Sequence, residues 1–137
     1  MGLDMYLIGD EFVPSWRENN RPKRGGYEVT SYRLDLGYWR KHGPLHCHIT
    51  NTYTPGVDDC KEIPLDSDEL RSIADALRNN DLPADENCHG FFFGSPEMWA
   101  EDRAAGAEHA AIFDRAAAWL DEDRDDVWRS VFYQASW

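Results

Sequence analysis

The sequence predicts an α+β fold, a mostly antiparallel sheet with two helices packed on one face, in a single domain spanning residues 1–137. Three observations lead there. The predicted elements run strands, helix, strand, helix, strand. The turns at Gly43-Pro44 and Pro55-Gly56 are tight, which suits antiparallel neighbours rather than parallel crossovers. Leu70, Ile73, Ala74 and Leu77 recur at the spacing of an amphipathic helix, one apolar stripe that must be buried against something.

Met5–Ile8 reads as a short buried strand. Residues 9–26 are polar and contain Pro14, Pro22, Gly25 and Gly26, so they read as a long loop. Glu28–Trp39 alternates as a strand, with Thr30, Tyr32, Leu34, Leu36 and Tyr38 on one face and Gly37 marking a bulge. Leu45–Tyr53 is read as the next strand. That places His46 and His48 on one face and turns Cys47 into the core. Cys60–Leu65 is a short third strand. Asp66 and Glu69 have capping-box spacing and open the first helix, which Pro83 follows.

Gly90-Phe91-Phe92-Phe93-Gly94-Ser95 reads as a short strand that delivers the chain into a helix, with Ser95 as N-cap and Pro96 at the first helical position. The second helix is predicted from Pro96 to Leu120. Trp99, Arg103, Gly106, Ala110, Phe113, Ala117 and Leu120 form one face whose small members permit close packing. The acidic segment 121–126 connects it to a final strand, Val127–Trp137. An aromatic at position 137 continues that strand's alternation, so the strand is expected inside the sheet with Trp137 packed.

Net charge at pH 7 is −12, and it is unevenly placed. Residues 1–45 carry seven basic and six acidic residues, whereas residues 46–137 carry seven basic and 20 acidic ones. Such a field opposes nonspecific nucleic-acid binding. Arg17, Arg21, Lys23 and Arg24 are the local exception, a solvated basic loop with anion steering as its sharper reading. No apolar run reaches the roughly 20 residues of a membrane span, so no membrane association is expected. Three cysteines without an apolar leader predict reduced thiols and a cytoplasmic location.

No motif specifies a reaction. Phosphate-binding and dinucleotide glycine loops are missing, as is a nucleophile elbow. The ligand pattern around His46-Cys47-His48 is incomplete for zinc, and no metal or other cofactor is expected. Cys60 follows two aspartates that oppose a thiolate, and Cys88 beside His89 shows adjacency in sequence only. Tyr38-Trp39-Arg40-Lys41 offers an aromatic platform with two cations. A ligand pocket is therefore expected where the Trp39–Arg40 strand end meets the Phe92–Ser95 turn, with His46, His48 and Trp137 as further ligand-binding residues.

The blocks Gly2-Leu3-Asp4-Met5-Tyr6-Leu7, Gly37-Tyr38-Trp39-Arg40-Lys41 with Leu45-His46, Asp58-Asp59-Cys60, residues 90–95, and Phe132-Tyr133-Gln134-Ala135-Ser136-Trp137 occur in that order. In them the chain resembles a family of small proteins encoded by bacteriophages and bacterial genomes, a family without an established function. Some relatives carry a phosphoglycerate kinase label, but such a kinase needs two nucleotide-binding domains and this chain has the length of one small domain. The resemblance implies a phage or prophage accessory protein and transfers no catalytic residues. The leading expectation is a non-catalytic protein that binds a small anionic or planar ligand, or a host protein. Two alternatives are a small enzyme acting on a nucleotide or phosphorylated metabolite with His46 or His48 as acid/base, and an acidic decoy of a basic nucleic-acid-binding partner.

Overall fold

Four strands pair side by side and antiparallel throughout: β4 (Ser31–Arg40), β1 (Asp4–Phe12), β6 (Trp128–Ser136) and β5 (Ile63–Leu65), in that order across the sheet. The computed structural model describes residues 2–14, 21–83 and 93–137. Four helices complete the described residues: α1 (Gly43–Tyr53), α2 (Ser67–Arg78), α3 (Pro96–Ala104) and α4 (Gly106–Asp121). The α+β class and the antiparallel sheet are as the sequence predicts. β6 lies between β1 and β5, the interior position expected of the last strand.

One face of the sheet makes the core. Met5 and Leu7 of β1, Trp39 of β4, and Val131, Tyr133 and Ala135 of β6 are buried there against Leu45 and Ile49 of α1, Leu70 and Ile73 of α2, and Phe113 and Ala117 of α4. The opposite face keeps Tyr6, Phe12, Tyr38 and Trp128 partly exposed. Gly37 does mark a bulge, since the β1–β4 register slips between Leu7 and Ile8. The slip reverses the facing of the strand end, so Trp39 rather than Tyr38 enters the core. A Cβ at Gly37 would meet the Trp39 ring and Ile112 at 2.8 Å each, which is why the ring can fold over that position.

Four local expectations are corrected. First, Leu45–Tyr53 is helical, not a strand. Gly43, Pro44, Leu45, His46, Cys47, Ile49 and Thr50 are all buried, so no polar stripe reveals the helical period. Pro44 occupies the first turn of α1, where a proline fits without loss, and is not the turn that Gly-Pro suggests. Second, the segment 9–26 is not one loop: β1 extends to Phe12, and a hairpin follows, β2 (Lys23–Arg24) with β3 (Tyr27–Glu28). Gly25 and Gly26 turn it with φ of 57° and 86°, the left-handed pair of a two-residue hairpin.

Third, the helix predicted over 96–120 is two helices that break at Ala105. Gly106 lies so close to α2 that a Cβ would stand 2.4 Å from the Leu77 carbonyl oxygen. That contact is the close packing foreseen from the small residues. Fourth, the thiols are not all reduced. Cys47 is disulfide-bonded and Cys60 is free, which removes one ground for a cytoplasmic location. No helix among the described residues is long and apolar enough to cross a membrane.

The capping box of α2 forms as expected. Glu69 N donates to Asp66 Oδ1 at 2.7 Å, and Asp66 N donates to Glu69 Oε1 at 3.0 Å. Of the basic loop residues, Arg21 donates to the Val13 carbonyl at 2.7 Å and pairs with Glu28 at 3.1 Å, so it braces the hairpin. Arg17 lies outside the described residues.

Candidate functional site

A cavity of about 270 Å³ opens between α1, the 54–62 loop and the end of β6, with His46, Asp58, Cys60, Lys61, Tyr133 and Trp137 among its walls. Its floor is a hydrogen-bonded chain of three side chains. His46 Nε2 lies 3.0 and 3.1 Å from the two Asp58 carboxylate oxygens, and His46 Nδ1 lies 2.6 Å from the Tyr133 hydroxyl. An ionised carboxylate only accepts, so the proton of the neutral imidazole sits on Nε2 and Tyr133 donates to Nδ1. Burial holds the His46 pKa below its ordinary value, and the Asp58 charge acts in the opposite direction. Burial first, then the charge of Asp58, pushes the Tyr133 phenol well above its ordinary range.

Aromatic rings close the sides. Phe93 stacks on the His46 imidazole at 5.5 Å and 18°, and Trp137 stands edge-on to it at 5.5 Å. Phe93 and Trp137 also meet, at 5.8 Å. The mouth is a loop with a conformation of its own. Cys60 has φ of 62°, and Gln134 holds its carbonyl through a 3.3 Å hydrogen bond. Lys61 pairs with Asp59 at 3.4 Å, so the one cation that lines the mouth among the described residues already faces a carboxylate.

The structure separates the residues expected to share one pocket. His46 and Trp137 do come together. Phe92 lies outside the described residues, and its neighbour Phe93 makes the contact with His46. Trp39 is no platform: it is 4% exposed and stacks on Phe113 at 5.2 Å inside the core. Arg40 instead lines a shallow depression with Lys41, Glu97 and Asp102. The strand end and the 93–95 turn are nonetheless joined, because Trp99 Nε1 donates to the carbonyls of Lys41 and Phe93 at 3.1 Å each. Ser95 is extended at the N-cap of α3, with Pro96 following as expected, but its side chain makes no capping bond.

His48 is not beside His46. On a helix, residues two apart face opposite ways, and the shared face predicted for them belongs to a strand that does not form. His48 Nε2 is buried without a partner among the described residues, and burial holds its pKa down, with the charge of Asp81 acting in the opposite direction. Cys88 and His89 lie outside the described residues.

Sequence reasoning missed Asp58 and Tyr133 as partners of His46, which stand 12 and 87 residues away. It also missed the group of described residues whose ligand atoms could hold a metal, His42, Asp102 and His109. His42 is fully buried as the N-cap of α1, and desolvation pushes its pKa down to about 3. Compared with known proteins, the chain matches no family model, no curated protein and no solved structure, so the geometry of these residues carries the functional reading.

Proposed function

We propose that this is a non-catalytic binding protein that holds one small planar ligand in the cavity beside His46, against the Trp137 ring. The observation that carries this reading is the state of His46. Both of its ring nitrogens are engaged, by Asp58 and by Tyr133, and it is 2% exposed. An acid/base residue needs a nitrogen within reach of the substrate, so His46 supports the wall and does no chemistry. The surface offered to a ligand is instead an aromatic edge flanked by polar groups, the usual make-up of a small-molecule site. Asp58, Asp59 and Glu62 line the mouth. Their charge favours a neutral or cationic planar ligand over the anionic one that the sequence alone suggested. The resemblance to phage and prophage accessory proteins agrees with a small binding module.

The test is a thermal-shift panel of neutral and cationic heteroaromatic compounds, run beside nucleotides and sugar phosphates. Binding is expected from the first set and is lost in Trp137→Ala. A shift produced only by the phosphorylated compounds, or a shift that Trp137→Ala retains, overturns the reading.

A further inference from the structure

We propose that His42, Asp102 and His109 form a binding site for one divalent transition-metal ion, with zinc the best fit, whose carboxylate side opens to solvent beside Arg40 and Lys41. This site is separate from the cavity at His46 and does not depend on what that cavity binds.

The three side chains come from three elements. His42 is the N-cap of α1, Asp102 lies in α3, and His109 lies in the first turn of α4. One ligand atom from each falls within 4.8 Å of the others. Two imidazoles and a carboxylate are a known donor set for zinc and for other divalent first-row metals with an open position. At zinc–ligand distances near 2.0–2.2 Å, tetrahedral donors stand roughly 3.3 Å apart. Closure by about 1.5 Å at the widest pair is therefore sufficient. Asp102 is only half-buried and has the freedom to make it.

A second observation points to a ligand independently of the cluster. His42 is completely buried, yet its Nε2 has no hydrogen-bond partner among the described residues, and the buried Nδ1 of His109 has none among them either. The two rings stand 5.5 Å apart. A buried polar atom without a partner is a substantial penalty, and native proteins seldom leave one unexplained. Two such atoms beside a carboxylate are accounted for together by one cation, which accepts a lone pair from each.

The protonation required is consistent with the surroundings. Leu45 N reaches His42 Nδ1 at 3.4 Å, the long limit of a hydrogen bond, so little is lost if that nitrogen carries the proton. A hydrogen bond with His42's own backbone also acts on the ring. A ligating histidine ordinarily gives its other N–H to such an acceptor, which fixes the ring. Arg103 is the opposing charge nearby, but its guanidinium is tied to Asn80 Oδ1 at 2.8 Å and to the Pro83 carbonyl at 3.2 Å. Glu101 and Glu108 add negative field at Asp102 and His109. Entry is through the depression of about 440 Å³ that Asp102 lines with Arg40, Lys41 and Glu97.

The helix break makes the site. In one continuous helix, residues seven apart lie on one face but about 10 Å apart along the axis. The corner at Ala105, set by the close approach of Gly106 to Leu77, folds Asp102 and His109 together over His42.

The experiment is a zinc titration of the full chain after dialysis against chelator, read by competition with a chromophoric indicator. One equivalent of Zn²⁺ is expected to bind at micromolar affinity or tighter, raising the Tm. Asp102→Asn and His109→Gln should each weaken it by at least about tenfold, the scale of even an outer-shell loss at a metal site. His48→Gln should bind as the wild type does. Cobalt provides a measurement that needs no variant, because a four- or five-coordinate nitrogen–oxygen site gives Co²⁺ visible absorption far stronger than the hydrated ion. No zinc bound by the wild type, a Co²⁺ spectrum of the hydrated ion, or affinity unchanged in both ligand variants overturns the proposal.

Discussion

Two histidines one turn apart on α1 are treated in opposite ways. His46 and His42 are 2% and 0% exposed, and the backbone N–H of the first donates to the carbonyl of the second at 3.1 Å. His46 has both nitrogens satisfied, by a carboxylate and a phenol. Among the described residues His42 finds no partner for one of its nitrogens, and it packs beside a second histidine in the same condition. Burial alone therefore does not say what a histidine is for. What distinguishes the two is the hydrogen-bonding capacity left over once the fold has formed.

The largest expected effect comes from replacing the His46 ring by an apolar side chain, and the same change at His42 is its comparison. His46→Leu leaves the Tyr133 hydroxyl, 1% exposed, without its acceptor. It also disturbs the ring contacts with Phe93 and Trp137. A loss of about 3 kcal/mol is expected, most of it the unpaired buried hydroxyl. His42→Leu in chelator-containing buffer removes an unpartnered nitrogen together with a long N-cap bond, so its cost should stay below about 1 kcal/mol. Paired urea melts measure both. Equal losses would erase the distinction between the two rings.

Tyr133→Phe sharpens the same contrast from the other side. It keeps the ring and deletes only the hydroxyl, which strands His46 Nδ1 in the core. The expected loss is about 1–2 kcal/mol, with the zinc titration unaffected. A variant as stable as the wild type would show that the His46–Tyr133 bond contributes nothing.

The pH dependence of stability is a subtler test. The folded-state pKa of His46 lies below its ordinary value of 6.5 because of burial. The unfolded chain therefore takes up a proton first as pH falls. The stability that neutral His46 contributes is present in full above pH 6.5 and is lost as pH falls from there through the folded pKa. His42, His48 and His109 are shifted the same way, so the wild-type curve contains all four. The difference between wild type and His46→Leu isolates one. Urea midpoints at pH 7.5 and 5.5 should fall less in the variant; an equal fall would mean that His46 keeps an ordinary pKa in the fold.

Much of the sheet was legible because its signals are local. A short apolar run marked β1, alternation marked β4 and β6, Gly37 marked the bulge, and Asp66 with Glu69 marked the start of α2. α1 was not legible, because a helix buried nearly all round has no polar face to reveal its period. The corner at Ala105 was not legible either, since what makes Gly106 necessary is the Leu77 carbonyl of a different helix. The same division runs through the sites. His46 and Trp137 stand out in the sequence, but Asp58 and Tyr133 reach them through a loop and a distant strand. Of the His42 cluster, the Asp102–His109 pair, seven apart and flanking a glycine, was the available hint.

A small effect on stability is expected at Trp137, and it bears on function most directly. The sequence argues for a fully packed ring, and removing one of those costs about 3–5 kcal/mol. In the structure β6 is paired to β1 through Ala135 and Ser136, while its pairing with β5 covers only Val131 to Tyr133, and Trp137 is 36% exposed. It rests on His46 and Phe93 with one edge and turns the rest toward the cavity mouth. Trp137→Ala should therefore cost only about 1 kcal/mol, the part of its apolar surface that is covered. The same change should abolish the binding of planar ligands, because it takes away the surface on which they would lie. A urea melt and a ligand titration on the one variant separate the two roles. A loss of several kcal/mol would make Trp137 a core residue and withdraw it from the site, whereas a small loss with binding intact would place the ligand elsewhere.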